Sequence, residues 1–264
     1  MQPYTPIDIA NIVWPLNQHP FVIFLLSLVL LSGAAWVGGD GLSRFRKTQS
    51  GMFEDINVIQ TATLTLLGLI IGFTFSMAIN RYEQRKVLEE AEANAIGTEY
   101  VRADLLPATN RTKVRALLKS YTDQRILFYV SDGSELMKIN QNISELQNAL
   151  WAEVSQVAEK QPTPTIALTI SGMNDVLNSQ GYTQAAWWNR IPTGAWVLMA
   201  IIAVFANLLL GFGARKFDGH KRIFIVFPLV VSISFFLIAD IDSPRGGVIR
   251  VVPQNLISLM HSFS

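Results

Sequence analysis

The chain has 264 residues, 50% of them hydrophobic and only 16% charged, with a mean hydropathy of +0.31. Soluble domains carry about 25% charged residues, so this is the composition of a membrane protein, and a formal net charge of +1 offers no polyelectrolyte face to nucleic acid. The absence of cysteine excludes thiolate catalysis, Cys-based zinc sites and disulfides.

Residues 1–19 carry a single charge, Asp8. The charge-free run from Phe21 to Val37 is long enough to cross a bilayer. No Lys or Arg precedes Arg44, so the run lacks the basic flank of a cleaved signal and is expected to be a retained first span. Trp14 and Trp36 are its expected interfacial anchors. A basic loop with Arg44, Arg46 and Lys47 follows.

Ile56 to Asn80 gives 25 residues without a charge. As a helix they extend about 37 Å, enough for a bilayer core of about 30 Å with some tilt. The chain then becomes densely charged, but no proline occurs before Pro107 and Gly97 is the one glycine, so nothing ends the helix at the membrane surface. One helix of nearly fifty residues is expected. Arg85/Glu89 and Lys86/Glu90 stand at i,i+4, a spacing that supports a solvated helix by roughly 0.2–0.5 kcal/mol per pair. Glu89, Glu90, Glu92 and Glu99 raise the question of a metal, but a charge run on a helix reads as a solvated face.

After Pro107 a helix is expected from about Thr112, with Val114, Leu117, Leu118 and Tyr121 on its apolar face. Ser131 to Gly133 signals a turn, and Ser134 is the expected N-cap of the next helix. Leu136, Ile139, Ile143, Leu146, Leu150, Val154 and Val157 then recur in steps of three and four, the clearest amphipathic helix in the chain. Thr163 with Pro164 starts a further helix, with Ile166, Ile170, Met173 and Leu177 inward. Residues 81–190 therefore predict an antiparallel helical bundle. A third span runs from Thr193 to Gly213 and a fourth from Ile223 to Ala239, in which Pro228 is a candidate kink. A Gly- and Pro-punctuated tail closes the chain.

The expected fold class is all-α: a polytopic membrane protein with four transmembrane helices and an extramembrane helical bundle inserted between the second and third. Its divisions are 1–80, 81–190, 191–240 and 241–264. Seven basic residues lie in the two short loops, against two in the tail and none before the first span. The positive-inside rule then places both short loops in the cytoplasm and the bundle on the periplasmic side of the inner membrane.

Two stretches, INRYEQRKVLEEAEANAIGTEYVRADLLP after the second span and IDSPRGGVIRVVPQ after the last, resemble the bacterial family of bestrophin-like domain proteins. The order of elements matches as well: two spans, a helical insert, two spans, then a tail with Ser-Pro and glycines. Bestrophins are pentameric anion channels, so the resemblance implies a homo-oligomeric, channel-like protein acting on small inorganic ions. No pore motif matches residue by residue, so it assigns no site.

The residues themselves offer three candidate surfaces. Thr61, Thr65, Gly68, Gly72, Ser76 and Asn80 form one small and polar stripe of the second span. They read either as a pore lining, with Phe73 or Phe75 near a constriction, or as a close-packing helix face. Asn207 is the one strongly polar side chain deep in the third span; it reads either as an interhelical hydrogen bond, the expected role, or as part of a permeation path. Asp240, Asp242 and Arg245 cluster at the membrane edge, either as an ion-attracting ring or as an interfacial turn held by an Asp242–Arg245 pair. His19, His220 and His261 lie far apart, and no HExxH, Walker A, GxSxG or dinucleotide fingerprint is present. No catalytic residue, metal or cofactor is therefore expected. An oligomeric ion channel is the first functional reading, and a non-conducting sensor or scaffold acting through the bundle is the alternative.

Overall fold

The structure, a computed structural model, describes residues 19–41, 52–214 and 225–263. Trp14, His220 and the basic residues of both short loops lie outside the described residues. The elements are α1 (Pro20–Trp36) followed by a π turn (Val37–Gly41), α2 (Met52–Arg102) with a 3-10 turn (Ala103–Leu105), α3 (Ala108–Val130), α4 (Leu136–Lys160), α5 (Pro164–Trp188), α6 (Thr193–Ala214), α7 (Val226–Asp242) and α8 (Gln254–Ser262). All regular structure among the described residues is helical. Three stretches of them are long and apolar enough to cross a membrane: Pro20–Gly39, Ile56–Leu105 and Pro164–Gly213.

Helix α2 runs unbroken for 51 residues, from the apolar run into the charged one. Two internal punctuation signals act differently from their expected roles. Pro228 falls in the first turn of α7, where its missing N–H would have had no helical partner, so it starts the helix rather than kinking it. Ser134 does not cap α4, whose N-cap is Glu135. Instead the Ser134 hydroxyl and amide both donate to Asp132 Oδ1, at 2.8 and 3.0 Å, closing the turn one residue earlier. Thr163 is the N-cap of α5, accepting from the Ile166 amide at 3.3 Å, with Pro164 just inside the helix.

The chain forms two compact units, one of residues 1–80 and 190–250 and the other of residues 81–189 and 251–264. In the first unit, α1 packs against α6 and α7. Its interior mixes small side chains such as Ala35, Ala203, Ala206 and Ala239 with large ones such as Leu31, Met199, Phe235 and Ile238, while Leu25, Val29, Leu66 and Phe205 point outward. An exterior this apolar, with alanines where the helices meet, is the arrangement that lipid, rather than water, selects.

In the second unit, α3 packs against α4 and α8, and α4 against α5. The heptad-like face of α4 supplies Ile139, Ile143, Leu150, Val154 and Val157 to a core shared with Leu118, Tyr121, Phe128 and Met173. Of the glutamate run of α2 only Glu90 is solvated: Glu89, Glu92 and Glu99 are all buried. Glu89 accepts from Asn255 Nδ2 at 2.6 Å and from the Leu256 amide at 3.0 Å, and so caps the first turn of α8. Glu92 is paired in a bidentate manner with the buried Arg125 and also accepts from the Thr183 hydroxyl at 3.0 Å. Lys86 pairs with Glu83 at 3.5 Å on the exposed side of the helix. Charge density alone mistook an inward stripe for an outward one, because the partners, Arg125, Thr183 and Asn255, are distant in sequence.

Candidate functional site

Position the first half of α2 by what it buries. Leu67, Thr74 and Ala78 are its buried residues, and at 100° per residue they fall within about 40° of one another. Thr61, Thr65, Gly68, Gly72, Ser76 and Asn80 are all exposed, and the same rotation centres them roughly opposite that buried strip. The small and polar stripe therefore faces away from the chain's own packed face. Phe73 and Phe75, 63% and 36% exposed, flank it on either side. Gly68 and Gly72 have no atom within 4 Å of the position a Cβ would take, so within one chain they provide no close packing.

The two threonine hydroxyls of the stripe are directed to their own backbone. Thr65 donates to the Thr61 carbonyl at 2.9 Å, and Thr61 to that of Asn57 at 2.8 Å. Such a bond satisfies the donor inside a low-dielectric environment. What the stripe presents outward is consequently mild: methyl groups, hydroxyl lone pairs and bare glycine backbone. A surface of this kind can pass an ion or a water column without binding it tightly, which conduction requires.

Asn207 is fully buried in α6. Its amide nitrogen donates to the Ala203 carbonyl at 2.8 Å, one turn back in its own helix, and its Oδ1 has no partner among the described residues. The expected interhelical bond is replaced by a local one, since a carbonyl one turn back is within reach of a short amide whatever helix lies opposite.

The cluster at the end of α7 is built inward. Asp240 and Asp242 are each 1% exposed and belong to the last helical turn. Asp240 accepts from the amides of Val248 and Ile249, at 2.7 and 2.9 Å. Asp242 accepts from the Ile191 amide at 3.1 Å, at the entry to α6. The Ser243 hydroxyl accepts from the Gly246 amide at 3.0 Å, and a Cβ on Gly247 would lie 2.5 Å from the Asp240 carbonyl oxygen. Burial lowers the pKa of Arg190, next to Ile191, and the nearby Asp242 carboxylate opposes that fall. These two carboxylates are occupied in holding a turn, so the geometry favours the interfacial turn over an ion-attracting ring. Arg245, half-buried, sits within the same turn.

A family model of the bestrophin-like domain matches residues 26–256. The chain belongs to the bestrophin-like family. Its fold is similar to crystal structures of a bacterial bestrophin homolog from Klebsiella pneumoniae. One, solved by Zn-SAD phasing, aligns with a TM-score of 0.61 at 13% identity, over 91% of this chain and 98% of that one. A variant of the same homolog gives a TM-score of 0.62 at 13% identity, over 92% and 97%. Another gives 0.62 at 12% identity, over 91% and 93%. No curated protein sequence matches. At such identities it is the bestrophin fold that is shared, and the side chains of the α2 stripe have to be judged on their own chemistry.

Sequence reasoning located that stripe by its period. It did not find the buried Arg125–Glu92 pair or the helix α8. A short amphipathic helix in a Gly- and Pro-rich tail gives a weak signal, although Leu256 and Leu259 at i,i+3 mark its inward face.

Proposed function

We propose that this bestrophin-like chain is one subunit of an oligomeric ion channel of the inner membrane, with the α2 stripe facing the conduit. The observation that carries the reading is that six small or polar residues lie on the broad exposed side of α2, opposite its buried strip and interspersed with Val58, Leu69 and Ile79. Two threonines, two glycines, a serine and an asparagine are a poor surface for lipid alone, and they are suited to line water at the centre of a ring. In this reading α7, with 17 described residues, is the fourth span, and residues 81–190 form an insert between the second and third. The family supports anions as the permeant class. The 51-residue continuity of α2 supports the alternative, a sensor or scaffold in which one rigid helix carries an event between membrane and bundle.

Thiol labelling separates the two on a background without cysteine. In purified, reconstituted protein, Thr65→Cys and Ser76→Cys are expected to react with small charged thiol reagents and to change ion flux into liposomes. Well-assembled protein that passes neither anions nor cations, with both cysteines unreactive, overturns the channel in favour of the scaffold.

For the side on which the insert lies, loop charge supports the outside, with seven basic residues against two. Including Arg81, Arg85, Lys86 and Arg190, which flank the spans on the insert's side, nearly cancels that excess. With the outer membrane opened, Ser144→Cys is expected to label with an impermeant reagent and Ser43→Cys to stay protected. The reverse pattern makes the insert cytoplasmic.

A further inference from the structure

Among the three buried glutamates of α2, Glu99 differs from Glu89 and Glu92 in having no donor. Neither of its carboxyl oxygens has a hydrogen-bond partner among the described residues, although the side chain is fully buried. Thr169 on α5, also fully buried, has an equally unpartnered hydroxyl. One turn further along α5, a Cβ on Gly172 would stand 2.0 Å from Glu99 Oε2 and 2.4 Å from Arg102 Nη1. The carboxyl group is thus pressed directly against the backbone of α5, at a position where any side chain on that helix would collide with it.

We propose that Glu99 is a proton-binding switch that sets how tightly α2 is held to α5, independently of whether the protein conducts. A carboxylic acid can lie against a glycine backbone without a partner at modest cost, whereas a carboxylate there would be a buried charge without a single donor. The charged groups that bear on it are Arg102 on its own helix and Asp175 on α5. Asp104 in the adjoining turn is turned to Arg111 and Arg115, at 3.7 and 2.9 Å. Burial raises the Glu99 pKa to about 8, Arg102 opposes the rise and Asp175 adds to it. At neutral pH the side chain therefore holds its proton. On loss of the proton the Glu99–Gly172 contact must open to admit water.

The sign follows from linkage. Below the ordinary carboxyl range both folded and unfolded chains hold the proton and the stabilisation is complete. Between there and pH about 8 only the folded chain does, so the folding equilibrium falls about tenfold per pH unit, and it levels off above. Glu99→Gln, a neutral side chain of the same shape, should remove that slope.

The experiment compares thermal unfolding of the full-length protein in detergent from pH 5 to 9. Wild type and Glu99→Gln are expected to match near pH 5 and to diverge as pH rises, the wild type melting lower. Infrared spectra of the wild type should show a protonated-carboxyl band at pH 6 that fades by pH 9. Asp175→Asn, at an exposed position, should move that fading to lower pH, a shift that a purely structural glutamate would not show. Parallel melting profiles, or a wild type whose spectrum is already that of a carboxylate at pH 6 with no change on Asp175→Asn, overturn the proposal. Should Glu99→Gln fail to fold, the wild-type and Asp175→Asn spectra decide it alone.

Discussion

Replacing Arg125 by methionine is expected to cost the second unit about 3–5 kcal/mol, enough to abolish its cooperative unfolding transition near room temperature. The guanidinium is fully buried, forks onto both oxygens of Glu92, and lies 4.5 Å from the Phe128 ring centroid and 5.9 Å from that of Tyr129. Burial alone would lower the Arg125 pKa, but Glu92 more than compensates and raises it above its ordinary value. The same surroundings hold Tyr121 and Tyr129 as neutral phenols, both pushed up chiefly by burial and then by the Glu92 charge. Methionine fills most of the arginine's volume, so the damage comes from the orphaned Glu92 carboxylate and not from a cavity. The double variant Arg125→Met/Glu92→Met removes that charge as well and is expected to recover most of the lost stability, because a buried ion pair contributes little net against well-packed apolar side chains. Thermal unfolding in detergent of wild type, single and double variants reads this directly. A double variant no more stable than the single would locate the loss in packing around Phe128 instead.

How much of this was legible beforehand depends on whether a feature is local. The length of α2 follows from what its sequence lacks, since no proline lies between Asp55 and Pro107 and only Gly68, Gly72 and Gly97 weaken the helix there, each at a cost of only about 1 kcal/mol. The inward face of α4 was legible for the same reason: its apolar period is written in consecutive turns. Helix α5 was harder. Ile166 and Met173 point inward as its period suggests, but Leu177 is half-buried, and Thr169, Gly172, Ser179 and Thr183 share the buried face. Those small and polar residues are needed because α2 presents Glu92 and Glu99 to that face, and hydropathy carries no record of a partner seventy or more positions away. The turn after α7 illustrates the same limit. Two aspartates near Ser-Pro and Gly-Gly announce a special turn, yet that they point inward to the amides of Val248, Ile249 and Ile191 is a tertiary fact.

Gly211→Ala is expected to destabilise the first unit by about 3 kcal/mol or more, at the upper end for an overpacked site, while Gly33→Ala and Gly68→Ala leave it intact. A Cβ on Gly211 would lie 1.9 Å from the Ala35 carbonyl oxygen and 2.9 Å from the Gly39 amide nitrogen, and one on Gly38 would lie 2.1 Å from the Leu208 carbonyl oxygen. The obstructing atoms are backbone, so no rotamer change relieves the clash; the end of α1 and α6 must separate. Close approach of this kind is what holds membrane helices together where lipid removes the hydrophobic driving force. By contrast, Gly33 and Gly68 have nothing within 4 Å of a Cβ, and alanine at such helical positions adds about 0.5–1 kcal/mol of stability by restricting the unfolded chain. Melting temperature and recovery from detergent extracts distinguish the two classes. The contrast also sharpens the reading of α2: among the described glycines of the membrane helices, those at the α1–α6 crossing bring two backbones together, so a loss of assembly on Gly68→Leu, with the single subunit still folded, would mean that the stripe meets a neighbouring subunit and not the conduit. If Gly211→Ala instead melts with the wild type, the α1–α6 crossing can open without cost, and the first unit is looser than its backbone contacts imply.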